Sequence, residues 1–240
     1  MRDLLGIEVV GSLAFDAVLQ LATTLAVILY FSKDLWLIGQ TALRKLGRLP
    51  VNQKDLTLLY ALLIGTVPAI ILGILLESLM DTVFRSSILV AVVLVLGSLF
   101  FIYAEWVYYS RVPQNILTRS IGFKIGLFQC LALVPGMSRS GATIAGGMLL
   151  GLSRSEAARF SFLLSIPILL GSGTKKLIEL IQVGGDVSWV ALVVGAITAF
   201  FTGLWAIHFL LTFIRTHTLW PFIWYRLLLA AFVAYTFYLA

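Results

Sequence analysis

Charge is what this sequence has least of. Asp, Glu, Lys and Arg together make up 12% of its 240 residues, against about a quarter in soluble domains. That excludes a soluble domain as the body of the chain. The single cysteine, Cys130, excludes a disulfide framework and a cysteine-built metal site. Its simplest reading is a small buried hydrophobe. The only histidines are His208 and His217, one inside an apolar run and one in a loop beside a membrane face. Both read as structural, which argues against a histidine nucleophile. No cluster of metal-ligating side chains is visible, and no low-complexity linker divides the chain.

Apolar residues are abundant instead. They make up 60% of the chain, and the mean hydropathy is +1.04, so the bilayer is the solvent for most of it. A net charge of +6 in such a chain reports basic cytoplasmic loops beside anionic lipid rather than a nucleic-acid partner. Six apolar runs have bilayer-spanning length, at about 13–31, 56–76, 87–109, 157–171, 188–214 and 220–239. The fourth is short and interrupted by Pro167. Between the third and fourth, residues 121–134 are apolar but too short to span. Pro135-Gly136 breaks that stretch, and a second short piece runs from 141 to 152. Two half-length helices around a polar break form a re-entrant hairpin, because irregular backbone survives at membrane depth only where protein or water covers it. The pattern predicts an all-α polytopic membrane protein. It has one integral domain over 1–240, about six transmembrane helices, and one re-entrant hairpin at about 121–152.

Loop charges orient it. With residue 1 outside, the inside loops 32–55, 110–124, 153–159 and 215–219 hold Lys33, Arg44, Lys45, Arg48, Lys54, Arg111, Arg119, Lys124, Arg154, Arg159 and Arg215. The outside segments hold only Arg2, Arg85, Lys175 and Lys176. This asymmetry puts the basic loops in the cytoplasm and makes the hairpin enter from and return to the inside. Local signals agree. Ser153 with Glu156 forms a capping box, and Asp55 can cap the second span. Gly122/Gly126 and Gly147/Gly151 are G-x-x-x-G pairs suited to close helix packing.

The break itself carries the chemistry. Pro135 ends the first half-helix, Gly136 permits a tight turn, and Ser138 or Ser140 can cap the second half-helix, with Gly141 and Thr143 in its first turn. A helix N-terminus at mid-membrane presents free N–H groups and a partial positive charge, which makes an anion site. Arg139 adds a full charge and a donor fork suited to phosphate oxygens. Ser138, Ser140 and Thr143 add hydroxyls. An arginine in a membrane interior marks function by default; the bland reading is that it satisfies helix-end carbonyls or pairs with a carboxylate. Gly136-x-Ser138-x-Ser140 falls short of a nucleophile elbow, and no strand precedes it. Asp16 and Gln20 share one helix face, and Asp16 and Glu105 are the other charges placed within spans. Arg226, in the last run, is a candidate partner for a carboxylate. Otherwise both acids lie near the ends of their spans and reach the interface.

The run Gln129-Cys130-Leu131-Ala132-Leu133-Val134-Pro135-Gly136-Met137-Ser138-Arg139-Ser140-Gly141-Ala142-Thr143 resembles the second signature of the bacitracin-resistance undecaprenyl-diphosphate phosphatases. The likeness continues through Gly146-Gly147-Met148, Gly151-Leu152-Ser153-Arg154 and Phe160-Ser161-Phe162-Leu163-Leu164-Ser165-Ile166-Pro167. It also covers Phe15-Asp16-Ala17-Val18-Leu19-Gln20-Leu21 and Pro221-Phe222-Ile223-Trp224-Tyr225-Arg226. The resemblance implies a multi-pass enzyme of the bacterial inner membrane that hydrolyses undecaprenyl diphosphate to the monophosphate carrier lipid plus phosphate. This recycles the carrier for cell-wall synthesis and gives bacitracin resistance. It also implies two inverted repeats, a site open to the outer side, and a divalent cation, Mg or Ca, for which this chain offers no visible ligand set. Carried over, Arg139 grips the diphosphate and Ser138 and Thr143 donate to it as the catalytic set, while Gly136, Ser140 and Gly141 complete the phosphate-binding loop, which Ser140 supports. Asp16, Gln20, Gln129 and Arg226 stand in support.

One departure bears on activity. The family's other signature has paired glutamates, a proline, serines and a histidine, and this sequence does not contain it. Met1-Arg2-Asp3-Leu4-Leu5-Gly6-Ile7 resembles the stretch just downstream of that signature. The expectation is a start codon set too late, with residues 1–240 alone showing little or no hydrolase activity. Two rival readings are a polyprenyl-phosphate lipid transporter and a truncated remnant that only binds diphosphate lipid. The sequence leaves a homo-oligomer open.

Overall fold

The computed structural model describes residues 12–76, 87–114, 116–183 and 189–239. The segment at 1–7, with Arg2, and Arg85 lie outside these. Regular structure among the described residues is helical throughout: α1 Ser12–Tyr30, α2 Ser32–Leu46, α3 Gln53–Leu75, α4 Ser87–Tyr109, α5 Arg119–Cys130, a 3-10 turn Leu131–Leu133, α6 Arg139–Leu149, α7 Arg154–Val183, α8 Trp189–Thr216 and α9 Trp220–Leu239. The apolar runs predicted to span lie along α1, α3, α4, α7, α8 and α9. Among the described residues four helical stretches are long and apolar enough to cross a membrane: Gln53–Leu75, Ile88–Tyr109, Arg154–Ile178 and Trp189–Thr216. The broken pair α1–α2 adds a fifth if counted as one span. The protein is an all-α polytopic membrane protein.

Three local expectations change. The segment 32–46, expected as loop, is the helix α2, with Asp34 in its first turn and Arg44 and Lys45 in its last, each complementing the helix dipole. Its exposed Trp36, Leu43 and Leu46, beside basic residues, suit a membrane–water interface. The cap of α3 is Asn52, whose Oδ1 accepts from Lys54 N at 2.8 Å; Asp55 sits inside the first turn instead. Pro167 does not interrupt its span, because α7 runs 30 residues straight through it. Helix-interior prolines survive in membranes where neighbouring groups relieve the lost hydrogen bond. Close by, the Ser165 hydroxyl donates to Phe162 O at 2.7 Å. The capping box at the start of α7 forms, with Glu156 N donating to Ser153 Oγ at 3.3 Å.

Residues fall into two compact units. One lies within Met1–Leu35 and Ile166–Phe209, the other within Trp36–Ser165 and Leu210–Ala240. In the first, small residues let helices close on α1: Gly195 faces Phe15 and Leu19, and Gly203 faces Ala26. Gln20 Nε2 donates to Ser172 Oγ at 2.5 Å, and Tyr30 Oη meets His208 Nδ1 at 3.3 Å.

In the second unit α5 lies directly against α3. A Cβ added to Gly122 would stand 2.6 Å from Ala61 Cα, and one on Gly126 would stand 2.8 Å from Gly65 Cα, so this glycine pair permits backbone-to-backbone packing. The second pair behaves differently. Gly147 meets Ala157 of α7, whereas Gly151 lies beyond the end of α6. Glu105 does not reach the interface. It is 1% exposed and accepts from Arg154 Nε at 3.1 Å, from Arg154 Nη2 and from Leu219 N at 2.7 Å. That ties α4 to the starts of α7 and α9. The Arg154 guanidinium also lies over the Tyr108 ring, 4.0 Å from its centroid.

Candidate phosphate-binding site

The hairpin's arms are 12 and 11 residues long, about 16–18 Å at 1.5 Å per residue, far short of the ~30 Å hydrocarbon core. Thr118 opens the first arm, its hydroxyl accepting from Ile121 N at 3.1 Å. Cys130 closes it, its thiol donating to Gly126 O at 3.3 Å. The second arm begins at Arg139, capped by Ser138, whose Oγ accepts from Gly141 N at 3.2 Å.

The loop between the arms has an unusual backbone. Gly136 has φ 97°, and a Cβ there would also press on Val90 O at 2.8 Å, so glycine is required. Ser138 has φ 71°, which in a non-glycine residue costs of order 1–3 kcal/mol and tends to mark functional sites. Between them, Met137 buries its side chain against Val93 and Ala142. Its carbonyl accepts from Arg226 Nη1 at 3.1 Å.

Arg226 therefore has a different role from the one the sequence suggests. Among the described residues no carboxylate pairs with it. Its Nη2 donates to Leu94 O at 3.3 Å and its Nε to Ser98 Oγ at 3.4 Å, besides the bond to Met137. The guanidinium lies over the Phe101 ring at 4.8 Å, and the residue is 6% exposed. Arginine in the last helix is a strut under the strained loop.

Arg139 contrasts with it. The residue is half-buried at the first position of α6, and among the described residues its guanidinium has no hydrogen-bond or ion-pair partner. Among the described residues, no carbonyl or carboxylate satisfies that charge, as the bland alternative would require. Ser138 is exposed and Ser140 half-buried beside it. The cluster of donors at 138–141 is thus a helix N-terminus carrying a cation that no described residue neutralises.

Thr143 is placed differently from a direct phosphate donor. It is fully buried, and its hydroxyl meets Arg139 O at 2.9 Å, Ser140 O at 3.2 Å and Ser161 Oγ at 2.5 Å. It faces α7 and supports the turn that presents Arg139. Sequence reading misses Ser161 as its partner, since an intramembrane serine on another helix gives no signal of its own. Gln129 is 2% exposed at the end of α5. Asp16, half-buried, and Gln20 belong to the other unit. His217 bonds Thr216 Oγ1 at 2.8 Å and stacks on Phe213. With the Tyr30–His208 contact, that is packing rather than chemistry.

A divalent cation does not fit the described residues alone. No group of three or more His, Cys, Asp or Glu gathers among them, and the loop offers donors rather than cation ligands.

The match to known proteins decides the family. The family model described as "Bacitracin resistance protein BacA" matches residues 1–232. The chain belongs to the BacA family. Relatives called undecaprenyl-diphosphatase include one from Kineococcus radiotolerans, 40% identical over 228 residues that are 95% of this chain and 81% of the relative. Another, from Rubrobacter xylanophilus, is 41% identical over 226 residues, 92% of this chain and 82% of its own length. A third, from Moorella thermoacetica, is 39% identical over 227 residues, 95% and 84% respectively. The BacA match covers the hairpin, its loop and the Arg226 strut alike.

Proposed function

We propose that this BacA-family chain hydrolyses undecaprenyl diphosphate, cleaving the P–O–P linkage with water to release phosphate and the monophosphate carrier lipid. The observation that carries the reading is the half-buried guanidinium of Arg139, unpartnered among the described residues, at the N-terminus of a half-helix, a fixed positive end in a low-dielectric setting. Phosphoryl transfer places charge on phosphoryl oxygens, so catalysis is mostly positioning and electrostatic stabilisation. Arg139 neutralises the diphosphate. The N–H groups at the start of α6 and the hydroxyls of Ser138 and Ser140 donate to its oxygens. Thr143, Ser161 and Arg226 keep the loop in the conformation that presents them. The polyprenyl tail lies along the exposed apolar helix faces, such as Ile70, Ile71 and Ile74 of α3. Excess Lys and Arg in the loops at 32–55, 110–124 and 153–159 orients the chain with those loops in the cytoplasm, and the site opens toward the outer side. The rival readings gain nothing from the relatives, which are named as diphosphatases.

The test is binding and phosphate release with a polyprenyl diphosphate. Losing charge-assisted bonds worth about 1.5–3 kcal/mol means Arg139→Ala weakens binding roughly 10- to 100-fold and lowers phosphate release with it, and Arg139→Lys recovers part of both. Unchanged binding in Arg139→Ala would remove the reading.

A further inference from the structure

A cavity of about 700 Å³ opens between the starts of α3 and α7, the connection at 116–117 and Leu37 of α2, all within one compact unit. Its size is that of a small-ligand site. It is separate from the phosphate site. The helix α6 runs 11 residues from Arg139 to Leu149, about 16 Å, and Leu152, beyond that far end, lines the cavity. Four charged side chains also line it: Lys54 and Asp55 in the first turn of α3, and Glu156 and Arg159 in the first two turns of α7. Their charges cancel. Arg159 and Glu156 meet only at 3.7 Å, with 37% and 51% of their side chains exposed, a loose pair that a ligand can part. Among the described residues no hydrogen bond or ion pair holds the side chains of Lys54 and Asp55. The rest of the lining is mostly apolar, with Phe160 and Leu163 buried in it. Both α3 and α7 are long and apolar enough to span, so their first turns stand at headgroup level.

We infer that this cavity binds a phospholipid with a primary-ammonium headgroup, a phosphatidylethanolamine from the membrane leaflet at that face. Lys54 and Arg159 hold its phosphate, Asp55 and Glu156 accept from its ammonium N–H groups, and an acyl chain lies against Phe160 and Leu163. The balanced charge selects the headgroup. An anionic phospholipid would set its charge beside two carboxylates and offer them nothing. A choline headgroup has no N–H to give them. A basic protein segment would leave Lys54 and Arg159 unmatched. The bound lipid ties the start of α3 to the start of α7 at the base of the hairpin.

The experiment is native mass spectrometry of the full chain in detergent, titrated with dioleoyl phosphatidylethanolamine, phosphatidylcholine or phosphatidylglycerol, with lipid-free thermal unfolding as the check on folding. Wild type binds one phosphatidylethanolamine about fivefold more tightly than either other lipid, as two exposed charge pairs give. The double variant Asp55→Asn/Glu156→Gln leaves two cations, so it loses that preference and favours phosphatidylglycerol. Lys54→Gln/Arg159→Gln weakens phosphatidylethanolamine by about the same factor. Arg139→Ala keeps the wild-type order, because its site lies elsewhere. The inference is overturned if wild type does not prefer phosphatidylethanolamine, if the preference survives loss of both carboxylates, or if removing both cations leaves the affinity unchanged. Should a double variant fail to fold, the single variants Asp55→Asn and Glu156→Gln each lower the preference about twofold, and an unaltered preference in both overturns the inference.

Discussion

Arg139 and Arg226 flank the same loop, one opening α6 and the other reaching Met137 O from α9. The second gives its donors to two carbonyls and a hydroxyl and is almost fully covered. The first has no protein partner among the described residues and is half open. The same side chain is architecture in one place and, on the function proposed above, an anion receptor in the other. What separates them is whether the surrounding backbone supplies acceptors. Leu94 O and Met137 O are available to Arg226, whereas a helix N-terminus offers Arg139 only N–H groups. A third arginine, Arg154, sharpens the contrast by pairing with a buried carboxylate.

Arg154 carries the largest expected effect. Arg154→Ala leaves Glu105 buried and uncompensated, which costs about 3–5 kcal/mol, read as a fall in thermal midpoint. The Glu105→Ala/Arg154→Ala pair costs less than the sum of the singles, because the two residues share one interaction. Strict additivity would mean the clamp is not a unit. Arg226→Met comes next. It strands the Met137 carbonyl, at about 1–3 kcal/mol, while Leu94 O keeps the Ser98 hydroxyl, and it loosens the loop, so stability and diphosphate affinity fall together. A loss of affinity at full stability would make Arg226 a ligand-binding arginine and erase the comparison. Smaller is Thr143→Val, about 1 kcal/mol for the lost Ser161 contact, with Thr143→Ser restoring it. A large affinity loss in Thr143→Val at unchanged stability would return Thr143 to the phosphate itself.

Much of this is readable from sequence where composition and chain breaks carry the physics. Apolar runs locate the helices, and Pro135-Gly136 with Arg139 locates the loop. Side-chain partners are not readable. Arg226 resembles a carboxylate's mate because backbone acceptors leave no trace in a sequence. Glu105 resembles an interfacial acid because Arg154 lies 49 positions away. Pro167 resembles a stop because the rule that proline ends helices belongs to water, not lipid. The helix α2 is hidden by its charges, although Asp34 at one end and Lys45 at the other are a helix-dipole pattern.

The contrast between the two arginines reduces to one experiment: thermal unfolding of Arg139→Met and Arg226→Met, each with and without farnesyl diphosphate. Without ligand, Arg139→Met should melt within about 0.5 kcal/mol of wild type, as substitutions that break no native contact do, and ligand should no longer raise its midpoint. Arg226→Met should melt clearly lower in both conditions. An Arg139→Met protein as destabilised as Arg226→Met, or one still stabilised by the diphosphate like wild type, would contradict the assignment of Arg139 as the anion receptor.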